Sequence, residues 1–175
     1  MLPDTPSSGL VVLVPEADPV IGHLRRRLDP NAAFGVAAHV TVLFPFVAPD
    51  TIDARVMDTL RTLFSRVPRF SYAFDRTRWF DDQVLWLAPT DDRPFRELTR
   101  LVHAAFPAHP PFAGAFPDPV PHLTVGHETP LDQLRSAESE LTEMPTLHGR
   151  ATSVTLLVQP DPGRPVQIRE EFRLG

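Results

Sequence analysis

The sequence predicts an α/β (α+β) domain made from one half-unit stated twice. Three observations lead there. Alternating and helical apolar patterns follow one another as strand, helix, strand, helix, strand, and the order then repeats. The middle strand of each half opens with His-x-Thr, at His39 and, 83 positions on, at His122. No linker composition separates the halves, about 9–75 and 83–173, so residues 1–175 read as a single two-lobed domain.

In the first half, Leu10 to Val14 is a short apolar run closed by Pro15, which reads as a buried strand. Asp18 reads as an N-cap with Pro19 at the first helical position, and Val20, Ile21, Leu24 and Leu28 follow at helical spacing. Asp29-Pro30 ends that helix. A small-residue loop leads to a strand from His39 to Val47. Asp50 opens a second helix carrying Ile52, Val56, Leu60, Leu63 and Phe64 on one face. Arg69 to Asp75 alternates as a half-exposed strand does.

In the second half, Val84 to Ala88 is a strand bounded by Pro89. Phe95, Leu98, Leu101, Val102 and Ala105 mark a helix. A Pro-rich loop runs from Pro107 to Pro121, and His122 begins a strand. Leu131, Leu134, Ala137 and Leu141 mark another helix, capped by Thr129 with Pro130 after it. Ala151 to Gln159 and Pro165 to Arg173 complete the chain as strands joined by the turn Pro160-Asp161-Pro162-Gly163.

Composition narrows the chemistry. The net charge of −5 offers no global basic field for long nucleic acid. All 17 basic residues are Arg, so a lysyl-nucleotidylate, a Schiff base and a P-loop Lys are excluded. With no Cys there is neither a disulfide nor a thiolate metal site. The N-terminal segment lacks the basic region of a signal peptide, and no run approaches the ~20 apolar residues of a membrane span. The default expectation is a soluble, cytoplasmic protein without membrane contact, taken as a monomer.

Two His-x-Thr tripeptides alone are weak evidence, since about 0.56 is expected by chance in such a composition. Their placement says more. In HVTVLFPF and in PHLTVGH, positions i and i+2 are the polar ones on an otherwise apolar strand. Facing a core without partners, each pair would cost several kcal/mol. Both pairs are therefore expected to face one shared cleft.

The segments HVTVLF, VLWLAP and PHLTVGH, in that order, resemble the two-histidine (2H) phosphoesterase superfamily. This is the family of RNA 2',3'-cyclic phosphodiesterases, also labelled 2'-5' RNA ligase-like. The resemblance covers nearly the whole chain. It implies two pseudo-symmetric lobes, each an antiparallel-rich sheet with helices outside, forming a V-shaped cleft. It further implies that His39, Thr41, His122 and Thr124 converge on one phosphate. Many relatives carry Arg where this chain has His127, which strand parity places on the face opposite His122 and Thr124.

The implied function is a phosphodiesterase acting on a 2',3'-cyclic phosphate or a related RNA or nucleotide phosphodiester. Histidine suits both proton-transfer roles, because its ordinary pKa of about 6.5 leaves both forms available near neutrality. His39 and His122 are the catalytic pair. Thr41 and Thr124 bind the phosphate through their hydroxyls. Neither a metal nor another cofactor is required. The expected partner is an RNA end or a small nucleotide. A non-catalytic RNA- or nucleotide-binding module and a ligase running the reverse reaction are the alternatives.

Trp86 could stack a base or pack in the core. Arg76 and Arg78 read as a solvated hairpin turn, Arg25-Arg26-Arg27 as an exposed helix face, and Phe112 and Phe116 as loop residues that could cover the cleft. Asp81-Asp82 and Asp91-Asp92 read as turn and cap residues.

Overall fold

The computed structural model describes residues 5–175. β1 (Ser7–Leu13) leads into α1 (Asp18–Leu28) and a short α2 (Pro30–Ala33). β2 (His39–Leu43), α3 (Ala54–Phe64) and β3 (Phe70–Phe80) follow. β4 (Val84–Pro89), α4 (Arg93–Ala105), β5 (Leu123–His127) and α5 (Leu131–Glu140) lead to β6 (Leu147–Ala151), β7 (Ser153–Gln159) and β8 (Gln167–Arg173).

The strands form one eight-stranded sheet in the order β6-β3-β4-β5-β2-β1-β7-β8, with every neighbouring pair antiparallel. The order is symmetric about the β5–β2 seam. The third strand of the first half, β3, does not return to β1 but pairs with β4. Likewise β7 pairs with β1. The helices cross over in the same sense: α1 packs on β5 and α4 on β2. Each lobe is thus completed by chain from the other half, which leaves the two halves a common core.

That core holds Leu10, Leu24, Leu28, Val40, Leu85, Leu87, Leu98, Leu123 and Val125, all with no exposed surface. Gly126 is where the packing is closest. A Cβ there would lie 2.6 Å from Leu28 Cβ and 2.9 Å from Leu134 Cδ2. Only hydrogen at that position lets α1 and α5 seat against β5.

Several boundaries differ from the sequence reading. β2 stops at Leu43 rather than Val47, because Pro45 has no N–H for a ladder. Asp18 lies inside α1, and Asp53 rather than Asp50 caps α3, accepting from Val56 N at 2.9 Å. Asp29 caps α2 in what reads as a loop, accepting from Asn31 N at 3.0 Å. Thr129 does not cap α5; its hydroxyl donates to the Leu28 carbonyl at 3.4 Å. β6 carries Gly149 and Arg150 in its middle and has no apolar alternation to announce it. Arg76 and Arg78 sit within β3, and the turn comes only at Asp81, which has φ of 48°.

Arg25 is also corrected. It is 4% exposed, whereas Arg26 and Arg27 both reach solvent at the outer face of α1. Its place one turn beyond Ile21 turns it inward, where Asp29 and the Val36 carbonyl accept its hydrogen bonds. A buried guanidinium is tolerated when its donors are matched in this way.

Candidate functional site

β2 and β5 meet at the seam through the pair Val40–Leu123. Both side chains point into the core and have no exposed surface. Alternation then sends residues 39 and 41 of β2, and 122 and 124 of β5, to the opposite face. Antiparallel continuation from Val40–Leu123 sets His39 across from Thr124 and Thr41 across from His122. All four line one cavity of about 300 Å³.

The two imidazoles are anchored alike. His39 Nδ1 lies 2.8 Å from the Ala37 carbonyl, and His122 Nδ1 lies 2.7 Å from the Val120 carbonyl. A carbonyl only accepts, so Nδ1 carries the proton and donates in both rings. In the neutral ring this leaves the lone pair on Nε2. Burial lowers the His39 pKa to about 4, against the opposing pull of the Ala37 hydrogen bond. Burial also lowers that of His122, again against its backbone hydrogen bond. Both rings are therefore neutral at pH 7 with nothing bound, and either can accept a proton at Nε2.

Each His-x-Thr strand is followed by a β-bulge. Against β1, Thr41 pairs with Val11 and Leu43 with Leu10, leaving Val42 as the extra residue. Against β4, Thr124 pairs with Trp86 and Gly126 with Leu85, leaving Val125 extra. The bulge sends two successive residues toward the core and resets the alternation. Phe44 and His127, each five residues past its histidine, are thereby returned to the cleft face. Phe44 lines the same cavity as the four motif residues. His127 lines an adjoining cavity of about 660 Å³ that shares His122, Thr124 and Phe112 with the first. Simple strand parity, which places His127 on the opposite face, is overturned by this bulge.

His127 is held by a polar network. Its Nε2 lies 3.1 Å from Asp29 Oδ1 and 3.2 Å from Asn31 Nδ2. Burial alone would push the Asp29 carboxyl up, but hydrogen bonds from His127 and Arg25, with the charge of Arg25, hold it below its ordinary value. No arginine lies among the described residues lining either cavity.

The surroundings of the two catalytic candidates differ. His122 sits in an aromatic setting: Phe80 meets its ring edge-on at 5.0 Å, and Trp86 at 5.9 Å. Phe112 lies roughly parallel to it at 6.4 Å. Trp86 is 6% exposed, stacks on Phe80 at 4.7 Å and lines neither cavity. Buried between Phe80 and His122, its ring offers little face to a base. Phe112 borders both cavities, and Phe116, 58% exposed, borders the larger one. Among the described residues no group of three or more His, Asp or Glu is placed to hold a metal ion, and no helix is long and apolar enough to cross a membrane.

A family model described as the 2'-5' RNA ligase superfamily matches residues 13–162. No curated protein matches the chain. Among solved structures, Escherichia coli LigT complexed with NADP+ is 20% identical, with a TM-score of 0.61 over 98% of this chain and 99% of that one. LigT complexed with 3'-AMP is 21% identical, with a TM-score of 0.59 over 97% and 98%. A protein of Thermus thermophilus is 17% identical, with a TM-score of 0.65 over 96% and 97%. At these identities the likeness is one of fold.

Proposed function

The chain belongs to the 2'-5' RNA ligase superfamily of two-histidine phosphoesterases, and we propose that it is a metal-independent phosphodiesterase opening 2',3'-cyclic phosphates of RNA ends or nucleotides. One observation carries the reading: both His-x-Thr pairs line one cavity, with each histidine anchored at Nδ1 and free to use Nε2. The complexes of LigT with 3'-AMP and NADP+ support a nucleotide as the substrate class.

The reaction needs one base and one acid on opposite sides of phosphorus. One neutral histidine takes a proton from the attacking water at Nε2, and the oxygen attacks in line. The other must be protonated to deliver a proton to the leaving ribose oxygen. Burial disfavours that form in the empty site, so the phosphate itself has to supply the compensating charge. An anion beside a buried imidazole raises its pKa. The acid is thus charged only when substrate is bound. Thr41 and Thr124 donate to the non-bridging oxygens, where negative charge grows in the transition state. In the reverse direction the two histidines exchange roles.

The test is turnover of adenosine 2',3'-cyclic phosphate with EDTA present, with the product identified. Ring opening to a phosphomonoester, unaffected by the chelator, is the expected result. Absence of turnover, or turnover abolished by EDTA and restored by a divalent ion, would overturn the proposal.

A further inference from the structure

β3 carries Arg76 and Arg78 in its length, and the strand register fixes which way they face. Arg78 pairs directly with Trp86 on β4, and Trp86 pairs with Thr124 on β5. Residues directly opposite one another on antiparallel strands share a face. Thr124, Trp86 and Arg78 therefore form one row across the sheet, on the face that bears the cleft. The ring contacts agree, since Phe80, two positions from Arg78, stacks on Trp86 and meets His122 edge-on. A bulge between Phe74 and Arg76 makes this possible. Phe74 is fully buried in the core, and unbroken alternation would send Arg76 and Arg78 there with it.

Two strand spacings, about 10 Å, separate the backbones of Arg78 and Thr124. Asp75 holds Arg76 at 3.0 Å. Arg78 is exposed, and no carboxylate among the described residues pairs with it. An unpaired guanidinium has a fork of donors suited to phosphate oxygens. The surface between the two residues also leaves room. A hollow of about 380 Å³ is lined by Trp86 and Ala88, the cross-strand partners of Arg78 and Arg76, and by Val120 and Pro121. Its carboxylates, Asp91 and Asp92, are each paired with an arginine. The larger cavity is less suited to a further anion, because Asp81 lines it and no arginine does among the described residues.

Resting on the phosphodiesterase reading above, we infer that Arg78 holds the next phosphate of an RNA strand whose terminal phosphate lies between the histidines, so that the strand leaves the site across β4 and β3. The spacing suits this. One nucleotide step from the phosphate at Thr124, together with the length of an arginine side chain, spans the two strands. The contact is local, in keeping with a chain whose net charge is −5. It selects an RNA end over a mononucleotide, which has no second phosphate to offer.

The probes are adenosine 3'-phosphate, adenosine 3',5'-bisphosphate and the dinucleotide adenylyl-(3'-5')-adenosine 3'-phosphate, with binding measured by calorimetry. In all of them the 3'-terminal phosphate suits the histidine site, and the last two add a phosphate one ribose away. Wild-type protein should bind each of those two about 3- to 10-fold more tightly than adenosine 3'-phosphate, the factor for a charged contact at an exposed position. Arg78→Gln should remove that factor from both, Arg78→Glu should turn it into a penalty, and Arg78→Lys should keep part of it. For the dinucleotide, the slope of log affinity against log salt should flatten by about 0.7 in Arg78→Gln, one phosphate contact on a single strand. A wild-type ratio of one, or a ratio that survives in Arg78→Gln, overturns the subsite. An Arg78-dependent gain for the bisphosphate but not for the dinucleotide overturns the strand, leaving a small bisphosphorylated nucleotide as the ligand. Arg78 is exposed, so its variants keep the fold, and the wild-type ratio needs none of them. If the Arg78-dependent factor holds but adenosine 2',3'-cyclic phosphate is not turned over, the subsite stands and the reaction assignment fails. If none of the probes binds, both fail.

Discussion

His127 Nε2 lies 3.1 Å from Asp29 Oδ1, and that contact joins the end of β5 to the C-terminus of α1. Asp29 is also the partner of buried Arg25, whose Nη2 is 2.6 Å from Oδ2. One carboxylate thus neutralises a buried cation and positions a cleft residue. Asp29→Ala leaves the guanidinium buried and unpaired, which should cost about 3–5 kcal/mol. In the double variant Arg25→Met/Asp29→Asn the loss should be smaller than the sum of the two single losses. Urea denaturation of the double variant and its two single variants checks this, and additive losses would mean that the pair is not coupled.

The anchored histidines lead to a kinetic expectation. Replacing either His39 or His122 with Ala should lower kcat by ~10²–10⁴ while the fold is kept. Steady-state rates alongside circular dichroism measure both. Activity within a few-fold of wild type in either variant would remove that residue from proton transfer.

The threonines should behave differently. Thr→Val keeps the β-branched shape and removes the hydroxyl. Loss of one donor to developing phosphorane charge should cost about 2–4 kcal/mol, or 10²–10³ in rate. The bell-shaped pH profile of kcat/KM should keep both limbs in Thr41→Val and Thr124→Val, whereas each His→Ala variant should lose one. A missing limb in a Thr variant would contradict the phosphate-binding role.

The depressed histidine pKa values also set how stability depends on pH. Below pH 6.5 the unfolded chain takes up protons at both positions more readily than the folded chain, at His39 down to about pH 4. The contribution of these two groups to stability is therefore complete above pH 6.5 and falls as pH is lowered through that window. Asp29, held below its ordinary value, adds a further loss at lower pH. His39→Asn/His122→Asn should show a flatter dependence in thermal melts across the window. Binding of inorganic phosphate near pH 6 should draw protons into the wild-type site, seen as a buffer-dependent binding enthalpy. No buffer dependence would mean that the anion does not charge a histidine.

Gly126 offers a packing test next to the bulge. With Leu28 and Leu134 so close, Gly126→Ala should destabilise the protein by about 1–3 kcal/mol. It should also disturb His127, the next residue. An unchanged denaturation midpoint would show that the helices yield easily there.

Much of this protein is determined by local pattern. Periods of two and of 3.6 residues place most strands and helices, because each element must bury one face. The paired His-x-Thr motifs disclose four cleft residues, because polar groups at alternate positions of an apolar strand need an open face. Tertiary structure decides what depends on a partner. The bulges at Val42 and Val125 exist only as a mismatch between neighbouring strands, so no single strand announces that Phe44 and His127 turn back to the cleft. Arg25 reads as one of three surface arginines until Asp29 and the Val36 carbonyl are brought to it. Gln159 becomes part of the cavity because β7 crosses to pair with β1, a strand from the other end of the chain. Periodicity records which face of an element is buried; register and crossing order, set by contacts distant in sequence, decide what that face meets.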